Sequence, residues 1–318
     1  MSTPAPSLPR FQQGARPQQL LTVLLGDYWH TRNEPIPSAA LVELLQVFDV
    51  TPTGARAAIQ RLAQRGFLVG QKAGRQTAYA VPPMSQERIN AHVRSLFMSH
   101  LPQEWDGSWT LVGYSLPEDA KVTRRALREQ LRQLRFGNLY DAVWIRPGDQ
   151  LAVVDGIVAG LGGELDPEQI TVFTGARLPQ GTGRGAVAAA FGLAELADRY
   201  REFLDRWEPV ASRLPDGVEA ALEVSPEAGA RPGDAALRLR TSIMADWRTL
   251  RRLDPRLPHE LLGEDYPMHR AVAACCALYD SLGPTAEAAF RRILRPHDES
   301  LAQLVTHHTF AASASLLS

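Results

Sequence analysis

Apolar positions near the start of the chain recur at helical spacing. After Pro17, which a first helical turn tolerates, Leu20, Leu21, Val23, Leu24, Leu25 and Tyr28 share one face. NEPIPS (33–38) breaks the run, and Ser38 is read as the cap of a second helix that buries Leu41, Val42, Leu44, Leu45 and Phe48. DVTPTG (49–54) then turns the chain, with Thr51 as N-cap and Pro52 at the first helical position. A third helix over 52–65 turns Ala55, Ala58, Ile59 and Leu62 inward. It leaves Thr53, Arg56, Ala57, Gln60, Arg61 and Gln64 outside, and Gly66 ends it. FLVGQKAGRQTAYAV (67–81) reads as two short strands around a tip at Lys72, Gly74 and Arg75.

The pattern changes beyond residue 84. Residues 85–100 carry Ile89, Val93, Leu96 and Phe97 as a linking helix. Trp109 to Tyr114 is a buried-type strand, and DAKVTRRALREQLRQLRFG (119–137) is an amphipathic helix with Gly137 as its C-cap. NLYDAVWIRP (138–147) reads as one strand, 149–161 as a helix and 169–174 as a strand. That β-α-β-α-β order suggests a ferredoxin-like unit in which one strand is not visible. Gly181, Gly183 and Gly185 precede a helix, as a phosphate cradle would. Leu178-Pro179 separates them from the strand, however, so a flexible loop is the reading taken. A long helix follows over 186–206, then a connection over 208–233. Helices over 234–252 and 267–294 flank the Pro-punctuated segment LDPRLPHELLGEDYP (253–267).

These elements predict a multi-domain α+β protein. Its parts are a disordered N-terminal tail (1–16), a winged helix-turn-helix domain (17–83), a linking helix (84–104), a central ferredoxin-like domain (105–178) and a mostly helical C-terminal domain (179–318). The length of 318 residues suits two or three domains and a sizeable core without disulfides or metal. The two cysteines, Cys275 and Cys276, are adjacent in an apolar helical stretch, which reads as packing and a reducing, cytoplasmic setting. Neither a signal peptide nor a membrane span is expected.

Net charge is −1, but it divides unevenly: +5 over residues 1–100, −3 over 101–206 and −3 over 207–318. No carboxylate falls between Asp49 and Glu87, where Arg56, Arg61, Arg65, Lys72 and Arg75 do. A basic stretch on a near-neutral chain suits a local polyanion surface, or simply a solvated basic helix face. Three helices and a hairpin in this order form a winged helix-turn-helix, and with the basic stretch they favour double-stranded DNA over a protein or RNA contact. Short polar groups and arginines begin the third helix, the end that reaches base edges; Arg suits guanine, and Gln suits adenine. The DNA-contacting candidates are Thr51, Thr53, Arg56, Gln60, Arg61, Gln64, Lys72 and Arg75. A second group, Arg238, Arg240, Arg248, Arg251, Arg252 and Arg256, suits either a phosphate-bearing ligand or surface pairing with Asp246, Asp254, Glu260, Glu264 and Asp265. No hydrolase, nucleotide-loop, metalloprotease or redox motif occurs, and no metal set is completed, so neither an enzyme nor a metal or other cofactor is expected.

The blocks LLGDYW (24–29), RAAIQRLAQRGFL (56–68), GRQTAY (74–79), WDGSW (105–109), LREQLRQLRFGNLYDAVWIRP (127–147), YREFLDRW (200–207) and DWRTLRRLDPRLPHELL (246–262) resemble the PaaX family over nearly the full length. The family's DNA-reading helix is matched at Arg56, Arg61 and Leu62, and its wing at Gly74, Arg75 and Tyr79. Its C-terminal block is matched at Trp247, Arg248, Asp254, Pro255, Leu257 and Pro258. Departures are Gly263, Tyr266 and Met268, where the pattern has Pro, Trp and Gly, and Arg135, where it often has Gly. The resemblance implies a bacterial, homodimeric repressor of an aromatic-acid (phenylacetate-type) catabolic operon. Such a repressor binds a palindromic operator and is released by phenylacetyl-CoA or another acyl-CoA. Trp247, Arg248, Arg251, Arg252, Arg256 and Tyr266 are the effector-binding candidates under that resemblance. The other readings are a DNA-binding regulator without an effector, and a metal-dependent nuclease using the ferredoxin-like domain.

Overall fold

Thr51 accepts a hydrogen bond from the Gly54 N–H at 3.2 Å and caps helix α3 (Pro52–Gln64), with Pro52 at its first position. This computed structural model describes residues 16–73, 76–98, 104–162, 165–178, 183–225 and 231–314. Helices α1 (Arg16–Tyr28) and α2 (Ser38–Gln46) precede α3. All three bury the apolar faces that their spacing marks out, except that Phe48 is only half-buried. Ser38 does not cap α2: Pro37 holds that position, and no side chain caps the helix. The NEPIPS segment also does more than break the chain. Ile36–Pro37 (β1) pairs with β3 (Gln76–Ala80), which pairs with β2 (Val69–Ala73), giving an antiparallel sheet ordered β1-β3-β2. Gly66 ends α3 at φ 69°, a left-handed conformation that a residue without Cβ adopts freely.

Helix α4 (Pro83–Met98) is followed by a second sheet. Strand β4 (Trp109–Tyr114), helix α5 (Lys121–Gln133), strands β5 (Gly137–Tyr140) and β6 (Val143–Pro147), helix α6 (Leu151–Leu161) and strand β7 (Ile170–Ala176) run in the order β-α-β-β-α-β. The sheet is ordered β5-β6-β4-β7 with every pair antiparallel. The strand invisible in the sequence lies inside 138–147. That run is a hairpin that turns at Asp141-Ala142, without the Gly or Pro that normally marks a turn. Val112, Leu127, Leu131, Phe136, Trp144, Val154 and Ile157 form the core between this sheet and its two helices. Helix α5 ends earlier than expected. Leu134 is its C-cap and Arg135 takes φ 65°, while Gly137 opens β5. A Cβ on Gly137 would meet the Phe191 ring at 2.8 Å, so this glycine serves close packing rather than a cap.

The expected helix over 186–206 is two, α7 (Gly183–Ala190) and α8 (Leu193–Ala211), broken at Gly192 with φ 60°. The expected connection over 208–233 contains the end of α8 and a short helix, α9 (Val218–Glu223). Helices α10 (Pro232–Leu253), α11 (His259–Leu262), α12 (Met268–Leu294), α13 (Glu299–Leu304) and α14 (Phe310–Ala314) complete the chain. Among the described residues, no helix is long and apolar enough to cross a membrane.

The chain divides into two compact units, each discontinuous in sequence. The first comprises Met1–His100, Phe203–Arg251 and Arg270–Ser318; the second comprises Leu101–Glu202 and Arg252–His269. Inside the first, Phe97 of α4 packs on Phe310 at 4.4 Å and on Tyr279 at 5.5 Å between ring centroids. Cys275 is buried in the same unit, and burial pushes its thiol well above the usual range.

Candidate functional site

Helix α3 presents two faces set by its own sequence. Ala55, Ala58, Ile59 and Leu62 are buried. Thr53, Arg56, Gln60, Arg61 and Gln64 are exposed, and so is the capping Thr51. The Arg61 guanidinium lies back along the helix, where its Nε donates to the Ala57 carbonyl at 3.2 Å. Lys72 is exposed on β2, opposite Thr77. Arg75 and Gly74 lie outside the described residues. The turn that feeds α3 is held from α10: Arg238 donates to the Asp49 carboxylate at 2.5 Å, and Asp49 takes φ 58°. A cavity of about 420 Å³ lies at this N-terminal end, lined by Leu20, Phe48, Asp49, Thr51, Arg238 and Ser242.

The second set of candidates does not form one cluster. Trp247, Arg248 and Arg251 belong to the first unit, whereas Arg252, Arg256 and Tyr266 belong to the second. Trp247 is fully buried, with the Phe203 ring at 5.6 Å. Arg251 is buried too, and its guanidinium carbon stands 5.6 Å from the Trp247 ring centroid. Arg248 is half-buried, and its Nε donates to His92 Nε2 at 3.1 Å. Arg252 is exposed. Tyr266 donates its hydroxyl to the Leu193 carbonyl at 3.0 Å; burial, and then the Asp254 carboxylate, push it up to about 12. Arg256 takes φ 57°, and its backbone N–H donates to Asp254 at 2.6 Å. It lines a cavity of about 290 Å³ together with Arg135 and Arg146. Arg135 and Arg146 fall in the helical run 119–137 and the block 127–147, but nothing in the sequence singles out either as a ligand-binding group. They meet Arg256 only through folding.

Arg240, grouped with these arginines by sequence, is a fully buried core residue of the first unit. Its guanidinium carbon lies 3.6 Å from the Tyr279 ring centroid and 5.1 Å from that of Tyr28. Its nitrogens donate to the Tyr279 carbonyl at 3.0 Å and the His308 carbonyl at 2.5 Å. Burial disfavours the cation, but Tyr279, Tyr28 and Asp27 more than offset this and hold its pKa above the ordinary arginine value. Asp27 is buried beside it. Burial raises its carboxyl to about 6, against the lowering effect of Arg240 and Arg248. His30 and His308 stack with ring centroids 3.6 Å apart. Burial first, and neighbouring cationic groups second, depress them to about 4 and about 3. Among the described residues, no three His, Cys, Asp or Glu side chains converge as a metal site.

Comparison with known proteins follows the order of these parts. Residues 16–82 match the family described as PaaX-like protein, 102–187 the PaaX protein central Cas2-like domain, and 191–292 the PaaX-like protein C-terminal domain. The chain is 26% identical over 274 residues to transcriptional repressor PaaX of Escherichia coli (strain K12), covering 85% of this chain and 81% of that protein. A solved structure of an uncharacterized protein from Mycobacterium tuberculosis aligns with a TM-score of 0.55 and 20% identity, over 85% of this chain and 96% of that one. At that identity the likeness speaks for the fold alone. With three consecutive family matches and a relative aligned over 85% of the chain in agreement, the chain belongs to the PaaX family.

Proposed function

We propose that this protein is a DNA-binding transcriptional repressor that docks α3 in the major groove as the recognition helix of a winged helix-turn-helix. The observation that carries the reading is the outer face of α3. Arg56, Gln60, Arg61 and Gln64 are all exposed there, and no carboxylate occurs between Asp49 and Glu87. A face that offers guanidinium and amide groups without a competing anion suits base edges and phosphates alike. The β2–β3 hairpin serves as the wing, with Lys72 on phosphate. The E. coli relative's name, transcriptional repressor, agrees with this reading.

The second sheet, with its β-α-β-β-α-β order, is read as a ferredoxin-like unit. β7 is an edge strand whose unpaired backbone groups, with Phe173 exposed on it, suit a homodimer contact there. A two-fold dimer implies a palindromic operator with half-sites spaced by whole helical turns. Phenylacetyl-CoA or another acyl-CoA is the proposed effector. It would bind the arrangement that releases DNA more tightly than the arrangement that holds it.

The test is titration of DNA from the protein's own genomic neighbourhood, with and without phenylacetyl-CoA. Selective binding that the thioester reverses is expected. Arg56→Ala should weaken operator binding by about 1–3 kcal/mol in a folded protein. Operator affinity equal to that of the unaltered protein would remove Arg56 from the recognition set. Binding that no thioester changes would end the effector reading and leave the DNA-binding one.

A further inference from the structure

Helix α5 of the second unit carries five cations, Lys121, Arg124, Arg125, Arg128 and Arg132. Lys121, Arg125, Arg128 and Arg132 recur at i, i+4, i+7 and i+11, and Arg124 stands one turn before Arg128, so all five fall within an arc of about 100° around the helix. Lys121, Arg125 and Arg132 are exposed and the other two half-buried, while Leu127 and Leu131 of the same helix turn into the core. We propose that this face of α5 is a second, sequence-independent contact for the phosphate backbone of double-stranded DNA. The proposal deepens the DNA-binding reading and rests on it for the polyanion being DNA.

The charge is segregated, not merely present. Residues 101–206 carry a net charge of −3, yet between Asp119 and Asp141 six cations meet one carboxylate, Glu129. Glu129 is engaged elsewhere, accepting from Gln133 Nε2 at 2.9 Å. Among the described residues none of the five α5 cations forms an ion pair. Helix α8 shows the ordinary solvated arrangement by contrast: its signs interleave, with Arg199 paired to Glu202 and Arg201 to Asp198. A face of one sign on a chain of near-neutral charge is a local field that attracts a polyanion.

For the helix itself this arrangement is unfavourable. Lys121 with Arg125, Arg124 with Arg128, and Arg128 with Arg132 are like charges at i, i+4, which repel. The first turn, where the helix dipole favours an anion, has no acidic residue and begins with Lys121. A polyanion laid along the face turns that repulsion into attraction.

Several of the guanidiniums are also held in place by neutral partners. Arg124 donates to the Leu116 and Pro117 carbonyls at 3.0 and 2.8 Å, and Arg128 donates to the Tyr114 hydroxyl at 2.7 Å. The Arg132 guanidinium carbon stands 5.4 Å from the Trp144 ring centroid. Such partners fix a cation without neutralising it, so less freedom is lost when it meets phosphate. From Lys121 to Arg132 the face runs roughly 16 Å along the helix axis. That length spans about five phosphates of one DNA strand, measured along the duplex axis, whereas a small anion would meet only part of it.

The experiment is fluorescence anisotropy of the full chain on two labelled duplexes across a range of salt. One carries the operator DNA from the protein's own genomic neighbourhood, and the other is a random sequence of the same length. The test variant combines Lys121→Gln, Arg125→Gln and Arg132→Gln, whose side chains make no hydrogen bond among the described residues. It should weaken binding to both duplexes at least roughly tenfold at about 50 mM salt. The slope of log affinity against log salt should fall by roughly one per cation removed, with the ratio of operator to random affinity unchanged. Glu129→Gln should tighten both. A control that removes equal charge from paired surface sites, Arg199→Gln with Arg213→Gln and Arg295→Gln, should leave the slope as it was. An unchanged slope in the α5 variant, an equal loss in the control, or no duplex binding by the unaltered chain overturns the proposal. Arg56→Ala separates it from the α3 reading. If operator preference survives Arg56→Ala while the α5 variant still loses affinity, the α3 reading fails and this one stands. If the α5 variant loses affinity for a single-stranded RNA of the same length and keeps it for duplex DNA, the partner is RNA and the proposal fails.

Discussion

Arg240 in the first unit and Arg146 in the second are both drawn out of water, and the protein treats them differently. Arg240 has no exposed surface and is surrounded by two tyrosine rings, two carbonyls and the buried Asp27, so its charge is held more firmly than in water. Arg146 shares a cavity with two further arginines, and its charge is held less firmly than in water. A cation compensated by the fold is part of the core. Arg146 is left with the Phe136 ring, 5.8 Å from its guanidinium carbon, and with the like charge of Arg256. The same residue type is thus enclosed as core in one unit and lines an open cavity in the other.

Removing Arg240 should have the largest effect. Arg240→Ala leaves Asp27 buried without its main cationic neighbour and opens a cavity, and should destabilise the first unit by roughly 3–5 kcal/mol in chemical denaturation. A loss below about 1 kcal/mol would mean that this cation is dispensable, and the comparison would fail.

Stability should next depend on pH through the same cluster. His30 and His308 have folded pKa values of about 4 and about 3, below the ordinary 6.5. The unfolded chain therefore takes up their protons first as pH falls. Their contribution is fully present above 6.5 and is lost as pH falls below it towards those values. Asp27 opposes them: its folded pKa of about 6 lies above 3.8, so protonation in that interval favours the fold. Two groups against one leave a net loss on acidification. Thermal melts between about pH 7 and about pH 4.5 should show a falling midpoint, and His308→Asn should flatten the fall. An unchanged slope would exclude His308 from the linkage.

A smaller effect of opposite sign is expected in the second unit. Arg135→Gly should raise its stability by about 1 kcal/mol, because glycine takes φ 65° without strain. Its melting temperature reports this directly, and a fall would place Arg135 among structural residues like Arg240. The smallest effect belongs to the ion pair behind α3. Asp49→Asn keeps a side chain that tolerates φ 58° and removes only the charge facing Arg238. The carboxylate is 76% exposed, so a loss below about 0.5 kcal/mol is expected in denaturation.

Much of the N-terminal part was legible because its signals are local. Thr51, Pro52 and Gly66 bound α3 by capping chemistry that acts within a few residues, and the period of Ala55, Ala58, Ile59 and Leu62 separates its buried face from its outer one. Reading by punctuation failed where the punctuation was missing or served another purpose. The Asp141-Ala142 turn has neither Gly nor Pro, so β5 and β6 read as one strand. Gly137 follows a helix yet yields to Phe191, while Arg135 takes the left-handed place. Ser38 looks like a cap, but β1 pairing with β3 leaves Pro37 in that position.

By itself the sequence determined helices α1 to α6, α10 and α12 and most strands, the outer face of α3 and the family to which the chain belongs, because each depends on neighbours within a turn or two or on the order of blocks along the chain. Only the tertiary structure decided which arginines are core and which line a cavity. Arg238, Arg240, Arg248 and Arg256 look alike as a run of charges. One pairs with Asp49, one is enclosed by Tyr28 and Tyr279, one meets His92, and one joins Arg135 and Arg146. Those partners lie dozens to hundreds of residues away. Burial and charge compensation depend on which distant surfaces close together, which a local pattern does not encode.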